Sequence, residues 1–254
     1  MKTSATMKLS ILGGVILVAT SAHARGDFSV LATNNATVQP GGLRNTPNGL
    51  RFFNVEGSAN NTFASFGVID FQAPANTNVA SISSLTLRLT QDNAGFTRNG
   101  GLRFFLTQDT TTNDVPGASG STNTALTFQA ASSPNGIGNQ LSPNFALGTG
   151  IFTQGTTGTN GSGTVDTFTF NFAATSALAT YLRNQINTRG DIRIIVAPDD
   201  ANVAATYAGA TNSSNPGPIL SAVPEPTSYI LLAIGGLVGL IARRRIHRAG
   251  AVVS

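Results

Sequence analysis

Two stretches, LTLRLT (Leu85–Thr90) and TFTFNF (Thr167–Phe172), decide the fold class. In the first, Leu85, Leu87 and Leu89 fall on one side, opposite Thr86, Arg88 and Thr90. In the second, Phe168, Phe170 and Phe172 share a face opposite Thr167, Thr169 and Asn171. A period of two sets neighbouring side chains on opposite faces of extended backbone, so each stretch reads as a strand with one face buried and one wet. Working outward, Phe28–Thr33, Leu50–Val55, Ala64–Phe71, Leu102–Thr107, Ala125–Ala130, Ile192–Ala197 and Ile219–Val223 are further strand candidates. Gly- and Asn-rich turns separate them. Many short strands at such intervals favour an antiparallel sandwich over a parallel α/β sheet.

One stretch reads as helix, TSALATYLRNQIN (Thr175–Asn187). Leu178, Leu182 and Ile186 recur every four residues, Thr175 or Ser176 can cap the start, and Gly190 can end it. The pentapeptide GLRFF occurs at Gly49–Phe53 and again at Gly101–Phe105, but the likeness does not extend at that offset. Two strands entered from similar turns account for it better than a repeat. Asp109–Thr124 and Thr153–Gly163 are poor in apolar residues and read as long, mobile loops.

The charge of the chain is concentrated at its extremities. The formal net charge is +4, yet residues 25 to 223 carry nine arginines, ten acidic residues and no lysine. A phosphate-binding groove needs cations gathered on the folded body, so nucleic acid is not an expected partner. Cysteine is absent, and the two histidines, His23 and His247, lie in the terminal segments. The body therefore has no thiolate or imidazole for nucleophilic catalysis or for a histidine-ligated metal site.

Carboxylate chemistry remains, with Glu56, Asp70, Asp166, Asp191, Asp199 and Asp200 as the pool. A glycosidase needs two acids across the scissile bond, and no spacing here selects a pair. Asp70 reads as the partner of a buried arginine or of loop amides. Asp199, Asp200 and Asn202, in APDDAN, could offer oxygen ligands to calcium, although Asp and Asn are also ordinary turn formers. The body has no tryptophan, and its tyrosines are Tyr181, at a core edge on the helix, and Tyr207. Most phenylalanines fall on alternating strand faces, where a core needs them, so no sugar-binding plate stands out. No cofactor is expected, and no enzyme.

Residues 1–24 read as a secretory signal. Lys2 and Lys8 form a positive start, LSILGGVILVA (Leu9–Ala19) is the apolar segment, and Ala22 and Ala24 offer the small residues that signal peptidase inspects. Eleven residues of helix reach about 16 Å, too short for a hydrocarbon core of about 30 Å. Cleavage after Ala24 is the expectation.

The end of the chain reads AVPEPTSYILLAIGGLVGLIARRRIHRAG (Ala222–Gly250). The run Thr227–Ala242 would give about 24 Å of helix, enough to span with snorkelling flanks. This predicts a single transmembrane helix with Arg243, Arg244 and Arg245 at the cytoplasmic side, leaving the body outside the inner membrane. A permanent anchor would fit those features. The order Val223-Pro224-Glu225-Pro226, apolar helix, arginine cluster closely resembles the PEP-CTERM sorting signal. The resemblance implies processing by an exosortase, with Pro224, Glu225 and Pro226 as the recognition element. It also implies a cell-surface or secreted product associated with exopolysaccharide and biofilm. Two prolines keep such a segment extended, as a protease cleft prefers.

The body carries a second resemblance. FGVIDFQAPANTNVASISSLTLRLT (Phe66–Thr90), FNFAATSALATYL (Phe170–Leu182), DIRIIVAPDDANVAATYAG (Asp191–Gly209) and PILSAV (Pro218–Val223) are similar to jelly-roll modules of the DNRLRE type. That resemblance implies a β-sandwich like those of carbohydrate-binding modules. The expected organisation is a signal peptide (1–24), one jelly-roll-like antiparallel β-sandwich (25–222) and a sorting tail (223–254). Its expected role is that of a non-enzymatic surface or matrix protein, with a carbohydrate-binding or adhesive module as the alternative.

Overall fold

The computed structural model describes residues 28–40, 42–44, 50–108 and 145–223. The signal segment, the strand expected at Ala125–Ala130, the loop Asp109–Thr124 and everything after Val223, including the expected transmembrane helix, lie outside them. Among the described residues no helix is long and apolar enough to cross a membrane.

The Leu and Phe alternations form neighbouring antiparallel strands, β5 (Ser84–Thr90) and β8 (Val165–Asn171), with Leu85 opposite Phe170 and Leu87 opposite Phe168. Around them the chain builds an all-β, antiparallel, sandwich-like fold with one short α-helix. The remaining strands are β1 (Phe28–Gln39), β2 (Gly42–Leu43), β3 (Phe52–Glu56), β4 (Phe66–Gln72), β6 (Gly100–Thr107), β7 (Phe145–Phe152), β9 (Asp191–Pro198), β10 (Ala204–Ala208) and β11 (Ile219–Val223). One layer runs β1-β11-β5-β8 and the other β4-β9-β6-β7. The long strand β1 belongs to both: it pairs with β11 over Phe28–Leu31, shifts register between Ala32 and Asn34, then pairs with β4. A bulge of this kind bends a strand and lets one sheet turn into the next. The ribbon β3-β10 packs beside them.

Between the layers, Leu85, Leu87 and Leu89 of β5 and Phe168 and Phe170 of β8 meet Ile69 and Phe71 of β4, Phe104 of β6 and Ile194 of β9. The Phe104 ring centroid lies 4.5 Å from that of Phe168 and 5.1 Å from that of Phe170, tilted against both. Strands β5 and β8 alternate as the sequence predicts, but β4 and β9 are buried on both faces. Their second face, with Phe66, Val68, Ile195 and Ala197, joins Ala36, Val38 and Phe105 in a separate apolar cluster. That is why FGVID and IRIIVA read as near-continuous apolar runs. Gly150 of β7 sits where a Cβ would collide with the Phe168 ring, so this strand gives up a side chain to admit the phenylalanine.

Helix α1 (Ala177–Thr188) starts where Ser176 Oγ accepts the Ala179 N–H at 3.1 Å, and it buries Leu178, Leu182 and Ile186. Its end departs from expectation. The left-handed residue is Arg189 (φ 57°), not Gly190, and Gly190 donates its N–H back to Gln185 O at 2.8 Å. Together with Arg189 N–H to Ile186 O this is a Schellman cap with an arginine at the position where glycine is unstrained. Arg189→Gly is therefore expected to raise unfolding free energy by about 0.5–1 kcal/mol, since relief of strain exceeds the added freedom of the unfolded chain. Urea denaturation checks it.

The register also fixes the two ends of the sandwich. Val223 pairs with Ser84, Ser84 with Asn171, and Phe28 with Ala222, so the start of β1 and the end of β11 emerge side by side. Strand β5 leaves at Thr90 toward the opposite end.

Candidate functional site

The sorting segment meets the folded body without a spacer. Strand β11 is internal, paired with β1 on one side and β5 on the other, and Leu220 and Ala222 are fully buried. Its last residue, Val223, is the first of the Val-Pro-Glu-Pro motif, so the body extends one residue beyond the 222 boundary read from sequence. Pro224, Glu225, Pro226 and Arg243–Arg245, like Ala22 and Ala24, lie outside the described residues.

The carboxylates of the body are separately employed. Asp70 and Arg193 are cross-strand partners on β4 and β9, and Arg193 Nε and Nη2 donate to the two Asp70 oxygens at 2.7 and 2.9 Å. Asp70 thus has the buried arginine that its sequence context predicts. Asp166 accepts from Tyr207 Oη at 2.9 Å and from Gln91 Nε2 at 3.1 Å. Burial raises its carboxyl above the usual range, and those two donors work against the rise. Tyr207 is fully buried, between Phe53 and Phe152, and burial beside a carboxylate pushes its hydroxyl well above the usual tyrosine range.

Gln91 also holds the segment expected to be a mobile loop. Its Nε2 donates to Thr153 O, its Oε1 accepts the Gly155 N–H, and its own carbonyl accepts the Gly163 N–H. A polar composition read as looseness is, in three dimensions, a set of donors and acceptors closed on one buried glutamine.

The calcium candidate resolves into a turn. Asp200 Oδ1 accepts from the N–H of Asn202 and of Val203 at 2.8 Å, and its Oδ2 accepts the Gly101 N–H. Asp199 pairs with Arg103. Asp200 Oδ1 thus closes the turn that joins β9 to β10, while Asp200 Oδ2 and Asp199 tie that turn to β6. Among the described residues no group of three or more His, Cys, Asp or Glu could hold a metal ion.

A groove that the sequence reading missed lies at the end of the sandwich opposite Val223. Its volume is about 410 Å³, and its walls are the 3₁₀ turn Ser58–Phe63 and the connection between β5 and β6. Phe63 and Phe96 line it with 61% and 49% of their surface exposed, unusual for rings this large in a chain with a well-filled core. Arg44 crosses one wall: its Nε donates to Gln39 Oε1 at 2.7 Å, its Nη2 approaches Glu56 Oε1 at 3.4 Å, and its guanidinium carbon lies 5.7 Å from the Phe63 ring centre. Arg98 also lines the groove, exposed, with no carboxylate partner among the described residues. Asn60 pins the turn through its Nδ2 to Gly57 O and Val203 O, and Asn61 turns the chain in the positive-φ region.

Glu56 is the groove's one acid among the described residues. Its Oε1 also accepts from Asn54 Nδ2 at 2.9 Å. Burial raises its carboxyl above the usual range, outweighing Asn54 and Arg44. A raised folded-state pKa means that the folded protein holds the proton more tightly than the unfolded chain. Ionisation of Glu56 therefore subtracts stability as pH rises from the unfolded value of about 4.3 through the folded one. Glu56→Gln, which keeps the Oε1 acceptor, is expected to match the wild type below about pH 4 and to exceed it at pH 7. Urea midpoints of both proteins across that range test this, and Asp166, common to both, cancels.

The signal for the groove was present in NNTF (Asn60–Phe63) and GFTRNG (Gly95–Gly100): aromatic residues set among turn formers, off any alternating pattern. Comparison with known proteins bears on the other end of the molecule. No curated protein matches the chain. The family model of the PEP-CTERM protein-sorting motif matches residues 222–245. That match begins inside β11 and takes in the Pro-Glu-Pro, the apolar run and the arginines. The chain therefore carries a PEP-CTERM sorting motif, the mark of an exported protein handled by an exosortase, joined directly to the last strand of its β-fold.

Proposed function

We propose that this chain is a non-enzymatic bacterial surface or extracellular-matrix protein, released from its leader by signal peptidase after Ala24 and from its tail by an exosortase-type enzyme. The observation that carries the reading is the sorting-motif match at residues 222–245, continuous with the last described strand of the β-fold. In this reading the apolar run holds the motif at the inner membrane, the arginines stay cytoplasmic, and the two prolines present extended backbone to the enzyme. The body is a jelly-roll of the DNRLRE kind, a reading supported by two four-stranded layers ordered β1-β11-β5-β8 and β4-β9-β6-β7. A role without catalysis fits a groove that holds a single carboxylate among the described residues, where glycoside hydrolysis needs two. The product belongs to the exopolysaccharide-rich exterior.

Intact mass of the protein from its host, set against a strain without the processing enzyme, tests this. The expected species begins at Arg25 and ends between Val223 and Tyr229, and the mutant strain keeps the tail. A full-length C-terminus in the normal host would leave a plain anchor. The exposed aromatic groove favours a second reading, a carbohydrate-binding or adhesive module at the outer end of the sandwich.

A further inference from the structure

We infer that the groove between the Ser58–Phe63 turn and the β5–β6 connection binds an acidic saccharide, stacking a sugar ring on Phe63 and Phe96 and receiving its carboxylate on Arg98. The inference rests on the second reading above and gives it a ligand class.

Three observations lead there. Both exposed rings line one concavity, while most other phenylalanines of the described strands fill the core or its margin. Aromatic faces carry partial negative charge, so they favour the polarised C–H face of a pyranose, which is apolar on its face and polar around its rim. The volume, about 410 Å³, falls in the range of small-ligand sites. The wall also supplies hydrogen-bonding groups for that rim, from Asn61 and from Glu56, whose Oε2 takes no hydrogen bond among the described residues.

Charge selects the acidic class. Arg44 is balanced by Glu56 at 3.4 Å, which leaves Arg98 as the groove's cation without a carboxylate partner among the described residues. A guanidinium presents a planar fork of donors that suits a carboxylate in a bidentate fashion. A neutral sugar would leave that fork to water. Arg98 is also held in place from behind: its backbone exchanges hydrogen bonds with Ala204 of β10 at 2.8 and 3.0 Å, so the side chain projects from a fixed point. The connection bearing Phe96 and Arg98 leaves β5 at Thr90, away from the end where the sorting motif emerges, so the groove would stay open to a polymer while the tail is held at the membrane.

The test is calorimetric titration of the full chain in lipid nanodiscs with a hexamer of galacturonic acid and with the same hexamer carboxyl-reduced to the neutral sugar. The acidic hexamer is expected to bind, and the reduced one to bind about tenfold more weakly or not at all. Arg98→Ala should bring the acidic hexamer down to the level of the neutral one, with Arg98→Lys between them. Phe96→Ala and Phe63→Ala should each weaken both sugars by about three- to tenfold. Arg88→Ala, on the exposed face of β5, serves as the charge control and should change nothing. Unchanged melting temperatures certify the fold of each variant. Equal affinity for the two hexamers, no binding of the acidic one, or binding indifferent to Arg98 and Phe96 overturns the inference. So does concentration-dependent self-association abolished by Phe96→Ala, which would make the groove a contact between copies. None of these outcomes touches the processing reading, which the mass measurement decides by itself.

Discussion

Asp70→Ala is expected to destabilise the protein by about 3–5 kcal/mol, a large part of the total stability of a domain this size. The reason lies in where the pair sits. Asp70 and Arg193 face each other across β4 and β9, on the same side of those strands as Val68 and Ile195. Arg193 is only 3% exposed, and both Asp70 oxygens receive its N–H groups. Deleting the carboxylate removes two charge-assisted hydrogen bonds from a buried guanidinium, and returning that group to water means opening the sheet. The ion pair itself need not be a net gain over apolar packing, because both charges were desolvated to form it. The double variant Asp70→Leu/Arg193→Met should accordingly recover most of the loss. Urea unfolding at pH 7 separates these statements. A loss below about 1 kcal/mol for Asp70→Ala would mean that water reaches the pair and that it behaves as a surface bridge.

How far the sequence could be read depends on which physical signal each element carries. Strands β5 and β8 announce themselves because they bury one face, and period two survives only in such strands. Strand β9 was legible for the opposite reason, a short apolar run bounded by Gly190 and Asp199. Strand β7 (FALGTGIF) was not legible: Gly148 and Gly150 occupy positions where rings from β8 intrude, and glycine in a strand carries no pattern. Strand β10 was hidden by its small residues, AATYA, whose burial depends on β3 lying against it. The helix was read to within a residue at its start, but its stop was assigned to glycine when the backbone turns at Arg189. Cap chemistry is a preference of about a kilocalorie per mole, and tertiary packing can override it.

For the site the division is sharper. The tail was legible because its recognition depends on linear order alone, with no folding needed to bring the residues together. Asp70 was read as the partner of a buried arginine or of loop amides, and both the choice and the identity of the arginine required the β4–β9 register. Phe63, Phe96, Arg44 and Arg98 come from three separate segments, and only the closing of the β3–β10 ribbon against the end of the sandwich sets them around one groove. No local pattern encodes that meeting.

A chain ended at Pro218 is expected not to fold, while one ended at Val223 keeps the stability of the β-fold in full. Strand β11 is the seam of the first layer. Without Ile219–Val223, β1 has no partner over Phe28–Leu31 on that side, and the paired strands β5 and β8 are no longer hydrogen-bonded to the rest of the sheet. The buried Leu220 alone represents about 1.5–3 kcal/mol of transfer free energy. The ladder bonds on both flanks add about 1 kcal/mol each, so the loss reaches the 5–15 kcal/mol that such domains possess. Far-ultraviolet circular dichroism and urea titration of the two truncations measure the contrast, and a cooperative transition in the Pro218 chain would refute it. The same geometry constrains processing. An enzyme that draws substrate backbone into its cleft would have to unzip Val223 from Ser84, and Ala222 and the residues before it from both β1 and β5. On the proposed reading, a cut on the C-terminal side of Val223 would leave β11 intact in the product.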